Sequence, residues 1–185
     1  MVGGGVDVKM EDVLTHLYKR YSASVFNFLV YFTGNRQASE DLVQETFLRV
    51  MQYYANFEGR SHPKTWILKI AKNVAIDYER RRRLPIFNST YESDRFDQLQ
   101  SVTNTEEEVL DRESVERIIQ AINSLRPQYR LAIILRGIEG LSTAQAAEIL
   151  NWSEAKVKTT LHRARQQLLK RLERKEAEKS VFSER

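Results

Sequence analysis

The amino-acid sequence predicts an all-α protein of two small helical domains joined by a flexible linker. Only 7 Gly and 3 Pro occur among 185 residues, so long stretches contain no helix breaker. Apolar residues recur every three or four positions over most of the chain, as on the buried face of a helix. This periodicity disappears in one polar segment near the middle of the chain, which indicates a linker between two domains.

The change in periodicity also sets the expected domain boundaries. Both domains are under roughly a hundred residues long, a size at which a helical domain can still bury a core. The sequence predicts a disordered leader at 1–8, a first domain at 9–84, a linker at 85–104, a second domain at 105–175 and a tail at 176–185.

The composition excludes several classes of protein. Hydrophobic residues at 42% and charged residues at 29% are typical of a folded globular chain. The absence of Cys removes disulfides, thiolate zinc sites and Cys nucleophiles. His16, His62 and His162 are scattered, and no P-loop or metal-ligand spacing occurs, so no catalytic residue, metal or cofactor is expected. Without an apolar span or an export signal, we expect a cytoplasmic protein with no membrane insertion.

The charge is distributed unevenly along the chain. Four Arg and one Glu occupy 78–83, and seven Lys or Arg with two Glu occupy 153–174. Between these basic blocks, 88–117 contains nine acidic and three basic residues. Two basic segments separated by an acidic one indicate two DNA-contacting modules with a linker between them.

The first domain is predicted to contain four helices. The first has an apolar stripe that ends at Gly34, a natural stop, and the second begins near Ser39. A later helix begins at Pro63, whose fixed backbone angle suits a first turn, and continues to about Arg82. The predicted buried faces are Val13, Leu17, Tyr21, Val25, Phe28 and Phe32, then Val43, Phe47, Val50, Met51 and Tyr54, then Trp66, Ile70, Val74 and Tyr78.

The second domain is predicted to begin at a capping box. Thr105 and Glu108 have the spacing of this motif, and the helix that they open should extend to about Leu125. Pro127 is expected to open a further helix that stops at Gly140.

The most specific local pattern begins at Leu141 and predicts a helix-turn-helix. Ser142 and Gln145 form a capping box for the first helix, and Asn151 tolerates the left-handed conformation of a tight turn. Ser153 is expected to cap the second helix, whose apolar stripe would rest on the domain core. That stripe consists of Val157, Leu161, Ala164, Leu168 and Leu172.

The opposite face of the second helix combines cations with side chains that can hydrogen-bond to bases. In such motifs the early residues of the second helix enter the major groove. A basic helix alone would more often be a solvated surface, but the capped partner helix favours DNA recognition. The predicted DNA-contacting residues are Lys156, Lys158, Thr159, His162, Arg163 and Arg165.

The second helix of the first domain has an acidic outer face with one leucine among acids and amides. A patch of this kind suggests a protein partner, because DNA phosphates would repel it. A solvated face with an incidental Leu is an equally good account from the residues alone. The face consists of Asp41, Gln44, Glu45, Leu48 and Gln52.

Three motifs in this order resemble a known family. EDLVQETFLRVM, FEGRSHPKTWILKIAKNVAIDYERRRR and the helix-turn-helix are similar to regions two and four of sigma factors of the extracytoplasmic-function group. The resemblance implies a factor that binds core RNA polymerase and directs it to promoters. It further implies that the first domain contacts the −10 element and the second domain contacts the −35 element.

The resemblance also implies roles for individual residues. Asp41, Gln44, Glu45 and Leu48 match the surface that binds the clamp helices of the polymerase β′ subunit, which favours an interface over a solvated face. The loop 56–64 and the helix after it match the −10 reader, in which Phe57 either stacks on an unpaired base or packs between helices. The implied −10 contacts are Phe57, Arg60, Ser61, Lys69, Asn73, Asp77, Arg80 and Arg81.

The implied partners are promoter DNA, core RNA polymerase through its β′ clamp helices and β flap, and an anti-sigma factor. The acidic linker resembles a segment that threads toward the polymerase active centre, although a soluble tether remains an alternative. An autonomous helix-turn-helix regulator, which would bind DNA without polymerase, is the main alternative function. A protein-interaction module with no sequence-selective DNA binding is a further one.

Overall fold

The computed structural model describes residues 4–83 and 106–183, and all regular structure in these two ranges is helical. The first range contains α1 (Gly4–Thr33), α2 (Arg36–Tyr53), a 3₁₀ turn (Tyr54–Asn56) and α3 (Pro63–Arg82). The second contains α4 (Glu106–Asn123), α5 (Pro127–Ile133), a π-helical turn (Ile134–Ile138), α6 (Thr143–Leu150) and α7 (Glu154–Ser183). The all-α prediction is therefore confirmed. The predicted linker at 85–104 and the capping residue Thr105 lie outside the described residues.

Three details of the helical prediction differ from the structure. The described part of the first domain has three α-helices and one 3₁₀ turn instead of four helices. The first helix begins at Gly4, within the predicted leader, and α7 continues to Ser183, within the predicted tail. No Gly or Pro follows Gly140, so nothing in the sequence stops the last helix at the end of its apolar stripe.

The first domain is built around α1, which packs against both α2 and α3. Val25, Phe28 and Phe32 are fully buried, as the stripe on this helix predicts. Two predicted core residues are exposed instead: Val13 at 37% and Met51 at 55%. Val13 lies early in α1, and Met51 is one residue past the buried Val50, which rotates it by about 100° to the outer face of α2.

Local side chains fix the ends of these helices. Gly34 has a φ of +69° and ends α1, as its position in the sequence predicts. The Asn35 side chain then accepts a hydrogen bond from the Ala38 N–H at 2.8 Å and caps α2. Pro63 occupies the first turn of α3. These ends orient the outer faces of α2 and α3.

The second domain packs α4, α5, α6 and α7 around a core that includes Ile122, Ile134, Leu135, Ile149 and Val157. Its helices also contact the first domain, because α6 lies against α3 and α4 lies against α1. The apolar residues of both domains consequently form one continuous buried cluster.

Candidate nucleic-acid and polymerase interfaces

The helix-turn-helix has the local geometry that the sequence predicts. Ser142 Oγ accepts a hydrogen bond from the Gln145 N–H at 3.1 Å, and Gln145 Oε1 accepts one from the Ser142 N–H at 2.8 Å. Asn151 adopts the left-handed conformation with a φ of 54°. Ser153 Oγ then accepts a hydrogen bond from the Lys156 N–H at 3.2 Å and caps α7. The capping box, the turn residue and the second cap are thus all confirmed.

Helix α7 rests on the second domain through Val157, Leu161 and Ala164, all of which are buried. Leu168 and Leu172, predicted to continue this stripe, are only partly buried. Every predicted DNA-contacting side chain on α7 is exposed to solvent. The face consists of Lys156, Lys158, Thr159, His162, Arg163 and Arg165, and we call it the α7 basic face.

Sequence reasoning missed one residue beside the α7 basic face. Trp152 lies in the turn between α6 and α7 and is half-buried. The Lys156 ammonium lies 4.6 Å from the centroid of its indole ring, which is within the range of a cation–π interaction. The spacing of four residues between Trp152 and Lys156, at the start of a predicted helix, could have indicated this contact from the sequence. Trp152 therefore restrains the cation nearest the start of the α7 basic face.

The outer side of α3 presents a second candidate DNA surface. Lys69, Asn73 and Arg80 are exposed, and their spacings of four and seven residues place them on one face of the helix. Arg81 is also exposed and adjoins this face, whereas Asp77 is half-buried. We call Lys69, Asn73, Asp77, Arg80 and Arg81 the α3 polar face.

A network of ion pairs connects the α3 polar face to α2. Arg49 pairs with Glu45 and also with Asp77, with 3.6 Å between Arg49 Nη1 and Asp77 Oδ2. Arg81 Nη2 lies 3.7 Å from Glu45 Oε2, and Arg80 Nη2 lies 3.3 Å from Asp77 Oδ1. Glu45 and Asp77, assigned to different partners from the sequence, are therefore neighbours. The sequence prediction did not include Arg49, although a spacing of four residues from Glu45 is typical of an ion pair on one helix.

The loop before α3 holds Phe57 against other aromatic rings. The Phe57 and Trp66 ring centroids are 4.6 Å apart, and Tyr54 lies 6.3 Å from Phe57. Phe57 is half-buried in this cluster, a contact that favours the packing alternative over base stacking. In the same loop, Arg60 is exposed and pairs with Glu58, while Ser61 is half-buried.

The outer face of α2 is more apolar than the sequence pattern indicated. Asp41 and Gln44 are exposed, Glu45 is half-buried, and Leu48 is 59% exposed. Met51 and Tyr53 add exposed apolar area further along the helix. An exposed apolar centre within an acidic rim is typical of a surface that binds another protein. We call Asp41, Gln44, Glu45 and Leu48 the α2 acidic face.

Comparison with known protein families assigns both domains. Residues 17–84 match the model of Sigma-70 region 2, and residues 115–168 match the model of Sigma-70 region 4. The ECF RNA polymerase sigma factor SigX of Bacillus subtilis is 37% identical over 166 residues, which cover 89% of this chain and 86% of SigX. This chain belongs to the extracytoplasmic-function sigma factors. It therefore acts in promoter-specific initiation of transcription by RNA polymerase, and an autonomous regulator is not favoured.

Further relatives agree with this assignment. The RNA polymerase sigma factor YlaC of Bacillus subtilis is 32% identical over 175 residues, covering 94% of this sigma factor and all of YlaC. The sigma factor RpoE of Bartonella quintana, solved in complex with the anti-sigma factor NepR, has a TM-score of 0.70 and 25% identity. That match covers 86% of this sigma factor and 96% of RpoE. CnrH, solved with the cytosolic domain of CnrY, shares the fold at a TM-score of 0.67 and 21% identity, with 88% and 89% covered.

The candidate residues on α2, α3 and α7 lie within the two matched ranges. Within residues 4–83 and 106–183, no group of three or more His, Asp and Glu could hold a metal ion. None of the helices described in this sigma factor is long and apolar enough to cross a membrane.

Proposed function

We propose that this sigma factor recognises a promoter through two separate surfaces and binds polymerase through a third. The α7 basic face contacts the −35 element, the α3 polar face and the loop before it contact the −10 element, and the α2 acidic face binds the polymerase β′ clamp helices. The first domain, at residues 9–84, carries the polymerase and −10 contacts, and the second domain, at residues 105–175, carries the −35 contacts. One observation carries this proposal: every side chain of the α7 basic face is exposed on a helix whose position is fixed by a capped helix-turn-helix.

The α7 basic face suits an intact duplex. Lys158, Thr159, His162 and Arg163 lie in the first three turns of the helix, the part that enters the major groove in this motif. Arg163 can donate two hydrogen bonds to a guanine edge, whereas Lys156 and Arg165 suit phosphates better. Sequence preference is therefore expected to depend most on Arg163.

The α3 polar face suits a melted strand. Asn73 carries an amide that can pair with the edge of an unstacked base, and Arg80 and Arg81 can neutralise phosphates. Arg60 and Ser61 lie in the loop before α3, where they can contact the same strand. Phe57 would have to leave Trp66 to stack on a base, so its contribution is the smallest of this group.

The α2 acidic face suits a protein with basic and apolar groups. Leu48 supplies the apolar centre, and Asp41 with Gln44 supplies polar atoms at its edge. The β flap of polymerase is the expected partner of the second domain. Because polymerase and promoters are its partners, this sigma factor works in the cytoplasm.

An anti-sigma factor is a further proposed partner. The solved relatives RpoE and CnrH are each held in a complex, RpoE with the anti-sigma factor NepR and CnrH with part of CnrY. An anti-sigma factor of this chain should cover at least one of the three surfaces, since each is needed for initiation. Competition between such a protein and core polymerase for the purified sigma factor would test this.

Run-off transcription tests the promoter assignment directly. Core RNA polymerase with the purified chain should give a transcript of defined length from a target promoter, whereas either component alone should not. A template with an altered −35 element should lose this transcript, and a template altered outside both elements is the matched control. If the chain initiated equally from all three templates, the proposed −35 contact would be wrong.

A further inference from the structure

Trp152 lies in the turn of the helix-turn-helix, where the backbone holds it in place. Its N–H donates to the Ala147 carbonyl at 3.0 Å, which closes the end of α6. Asn151 before it has the left-handed conformation, and Ser153 after it caps α7. The indole is half-buried and packs against the edge of the core. The position of this ring is therefore set by α6, by the turn and by the core together.

Lys156 lies over this ring, and its backbone is also fixed. The Lys156 N–H donates to Ser153 Oγ at 3.2 Å, and Lys156 Nζ lies 4.6 Å from the indole centroid. A Trp ring attracts a cation more strongly than a Tyr or Phe ring does. The three other cation–π pairs in the described parts of the chain use Arg at 4.8 to 5.8 Å, and none of them involves the α7 basic face. The pair of Lys156 and Trp152 thus has the shortest distance and lies on a proposed DNA surface.

Closing the turn does not by itself require an indole. After a left-handed residue at the end of a helix, an apolar side chain commonly packs back onto the last turn, and an aliphatic residue can make this contact. A Trp at this position adds a ring face that a Leu lacks. Because the Lys156 ammonium lies over that face, the ring restrains the charged end of a side chain that is otherwise exposed to solvent.

The partner of Lys156 is a ring and not a carboxylate, which matters for binding a phosphate. Among the side chains that the structure describes, no ion pair joins a carboxylate to a cation of the α7 basic face. A phosphate would have to displace a carboxylate. It does not have to displace a ring, because the three N–H donors of a lysine can also point away from the ring face. The indole therefore positions the cation and leaves it able to bind DNA.

Positioning Lys156 in advance should favour a phosphate contact. A lysine side chain has many rotamers and loses most of them when an anion holds its ammonium. In the free chain the indole has already selected the rotamers that place Nζ over the ring. Less side-chain entropy is then lost on DNA, which is the usual benefit of preorganisation.

Lys156 also lies on the same face of α7 as the proposed base reader Arg163. The two residues are seven positions apart, which is about two turns and about 10 Å along the helix axis. Phosphate contacts carry no sequence information, but they fix how a helix is placed on the duplex. A phosphate bound by Lys156 would hold the start of this face in place while Arg163 reaches into the groove.

We propose that Trp152 is a positioning residue for −35 binding, which holds Lys156 over its indole so that the ammonium binds a phosphate at the start of α7. This inference rests on the proposed contact between the α7 basic face and the −35 element. Trp152 itself does not touch DNA. Because its contribution passes through one lysine, removal of that lysine should remove the contribution of the ring as well.

The ring contact can be measured in the free chain by nuclear magnetic resonance. The ring current of an indole shifts protons above its face upfield. The ε-methylene protons of Lys156 should therefore resonate upfield of those of Lys158, which is exposed on the same helix. Trp152→Leu should move the Lys156 signal to the Lys158 position, Trp152→Phe should keep part of the shift, and Lys156→Met identifies the signal by its loss. An unshifted Lys156 signal in the parent chain would overturn the proposal, without any use of polymerase or DNA.

Binding of the holoenzyme to a promoter duplex tests the function of the pair. Trp152→Leu should weaken binding about 2-fold to 5-fold, as expected for an exposed cation–π contact, and Trp152→Phe should recover most of this loss. The slope of log affinity against log salt should stay as in the parent, because Lys156 still releases a counterion. Lys156→Met should weaken binding further and reduce the magnitude of that slope by about 0.9. Both losses should be alike on a matched and on an altered −35 element.

The double variant separates positioning from packing. In a Lys156→Met background, Trp152→Leu should have no further effect on affinity. In a Lys170→Met background, which removes an exposed lysine further along α7 and is the matched control, it should keep its full effect. An equal effect in both backgrounds would contradict the proposal, since the indole would then act through packing or by touching DNA. Circular dichroism should show equal helicity in all variants, and the spectrum of the parent chain decides the ring contact even if Trp152→Leu lowers helicity.

These measurements distinguish failure of this inference from failure of the proposed −35 contact. If Lys156→Met reduced the slope as expected and Trp152→Leu left the affinity unchanged, the phosphate contact would stand and the role of Trp152 would not. If Lys156→Met had the affinity and the slope of the parent, the proposed phosphate contact of Lys156 would itself be wrong, and Trp152 would have no function through it.

Discussion

Arg163 is the single side chain on which −35 discrimination should depend most. It is exposed on α7, and its planar guanidinium can bind two acceptors of one guanine. We expect Arg163→Ala to reduce the preference of the holoenzyme for its own −35 element by roughly 1 to 3 kcal/mol, or about 5-fold to 150-fold. Competition transcription between a matched template and one with a changed −35 element measures this preference.

Arg171→Ala is the control for this substitution. Arg171 is an exposed Arg two turns further along α7, outside the α7 basic face. Its loss should lower transcription from both templates by a similar small factor, because a distant cation contributes only general attraction to phosphates. Equal loss of discrimination in both variants would show that α7 does not read bases through Arg163.

Leu48 is expected to dominate the α2 acidic face. Truncation of an apolar residue at the centre of an interface commonly costs about 1 to 2 kcal/mol. Leu48→Ala should therefore weaken binding to a purified segment of the β′ clamp helices by about 5-fold to 30-fold. Isothermal titration measures this affinity directly.

The same change at Leu169 provides a matched control. Leu48 and Leu169 are exposed to nearly the same extent, 59% and 58%, but Leu169 lies on α7. Leu169→Ala should leave clamp-helix affinity unchanged within error. If the two substitutions weakened binding equally, nonspecific hydrophobic association would explain the affinity for the clamp helices, and the α2 acidic face would not.

Residue identities predicted which faces carry charge, but not which charges already have partners. The spacing of Glu45, Asp77 and Arg81 placed them on outer faces, as found. The structure adds that Arg49 pairs with Glu45 and Asp77, and that Arg81 lies near Glu45. Ion pairs between α2 and α3 depend on how the two helices cross, and spacing along one helix carries no information on that.

At the scale of single elements, the capping box should contribute measurably to the stability of the second domain. Ser142 and Gln145 satisfy each other's backbone N–H groups at the start of α6. Ser142→Ala removes one of these bonds and should lower the free energy of unfolding by about 1 kcal/mol. Urea unfolding followed by circular dichroism measures the change.

Ser142→Asn is the control for the cap, because Asn accepts the same backbone hydrogen bond at this position. It should retain nearly the full stability of the parent chain. Equal destabilisation by Ala and Asn would mean that the Ser142 side chain stabilises the domain through packing and not through the hydrogen bond.

Helix ends in this protein were predictable because their determinants are local. The Ser142 box, the left-handed Asn151 and Gly34 each involve residues within a few positions of one another. Helical faces were less predictable near helix ends: Met51 fits an apolar pattern on α2 yet is exposed. Apolar periodicity identifies a stripe but does not show how far the neighbouring helix extends to cover it.

At the scale of the whole molecule, docking of the two domains could not be predicted from the sequence. Both domains were expected, but their contacts join residues far apart in the chain, such as Arg130 with Glu79 and Glu139 with Ser24. A buried Arg and a buried Glu have no distinctive local pattern. The sequence accordingly allowed a compact and an extended arrangement equally, and side-chain geometry was needed to distinguish them.

The buried Glu79 should make the stability of the folded chain sensitive to acid. Burial alone would raise the pKa of Glu79, but Arg130 of α5, together with Arg82 and Arg83 at the C-terminal end of α3, outweighs burial and lowers it. Burial lowers the pKa of Arg130, whose guanidinium nevertheless stays charged at any physiological pH. A carboxyl with a lower pKa in the folded chain than in the unfolded chain stabilises the fold while it is ionised. This contribution is complete above the ordinary Glu value of about 4.3 and is lost as the pH falls through the lowered value.

Glu79→Gln should remove this acid dependence. In the parent chain, the free energy of unfolding measured by urea denaturation should fall as the pH is lowered below about 4.3. The Glu79→Gln chain should be less stable at neutral pH and should show a shallower decline over the acid range, because residue 79 no longer titrates. Glu148→Gln, which removes an exposed carboxyl on α6, should follow the parent curve. If the parent and Glu79→Gln curves had the same slope, ionisation of Glu79 would not contribute to the stability of the folded chain, and its ion pair with Arg130 would not be the source of the acid sensitivity.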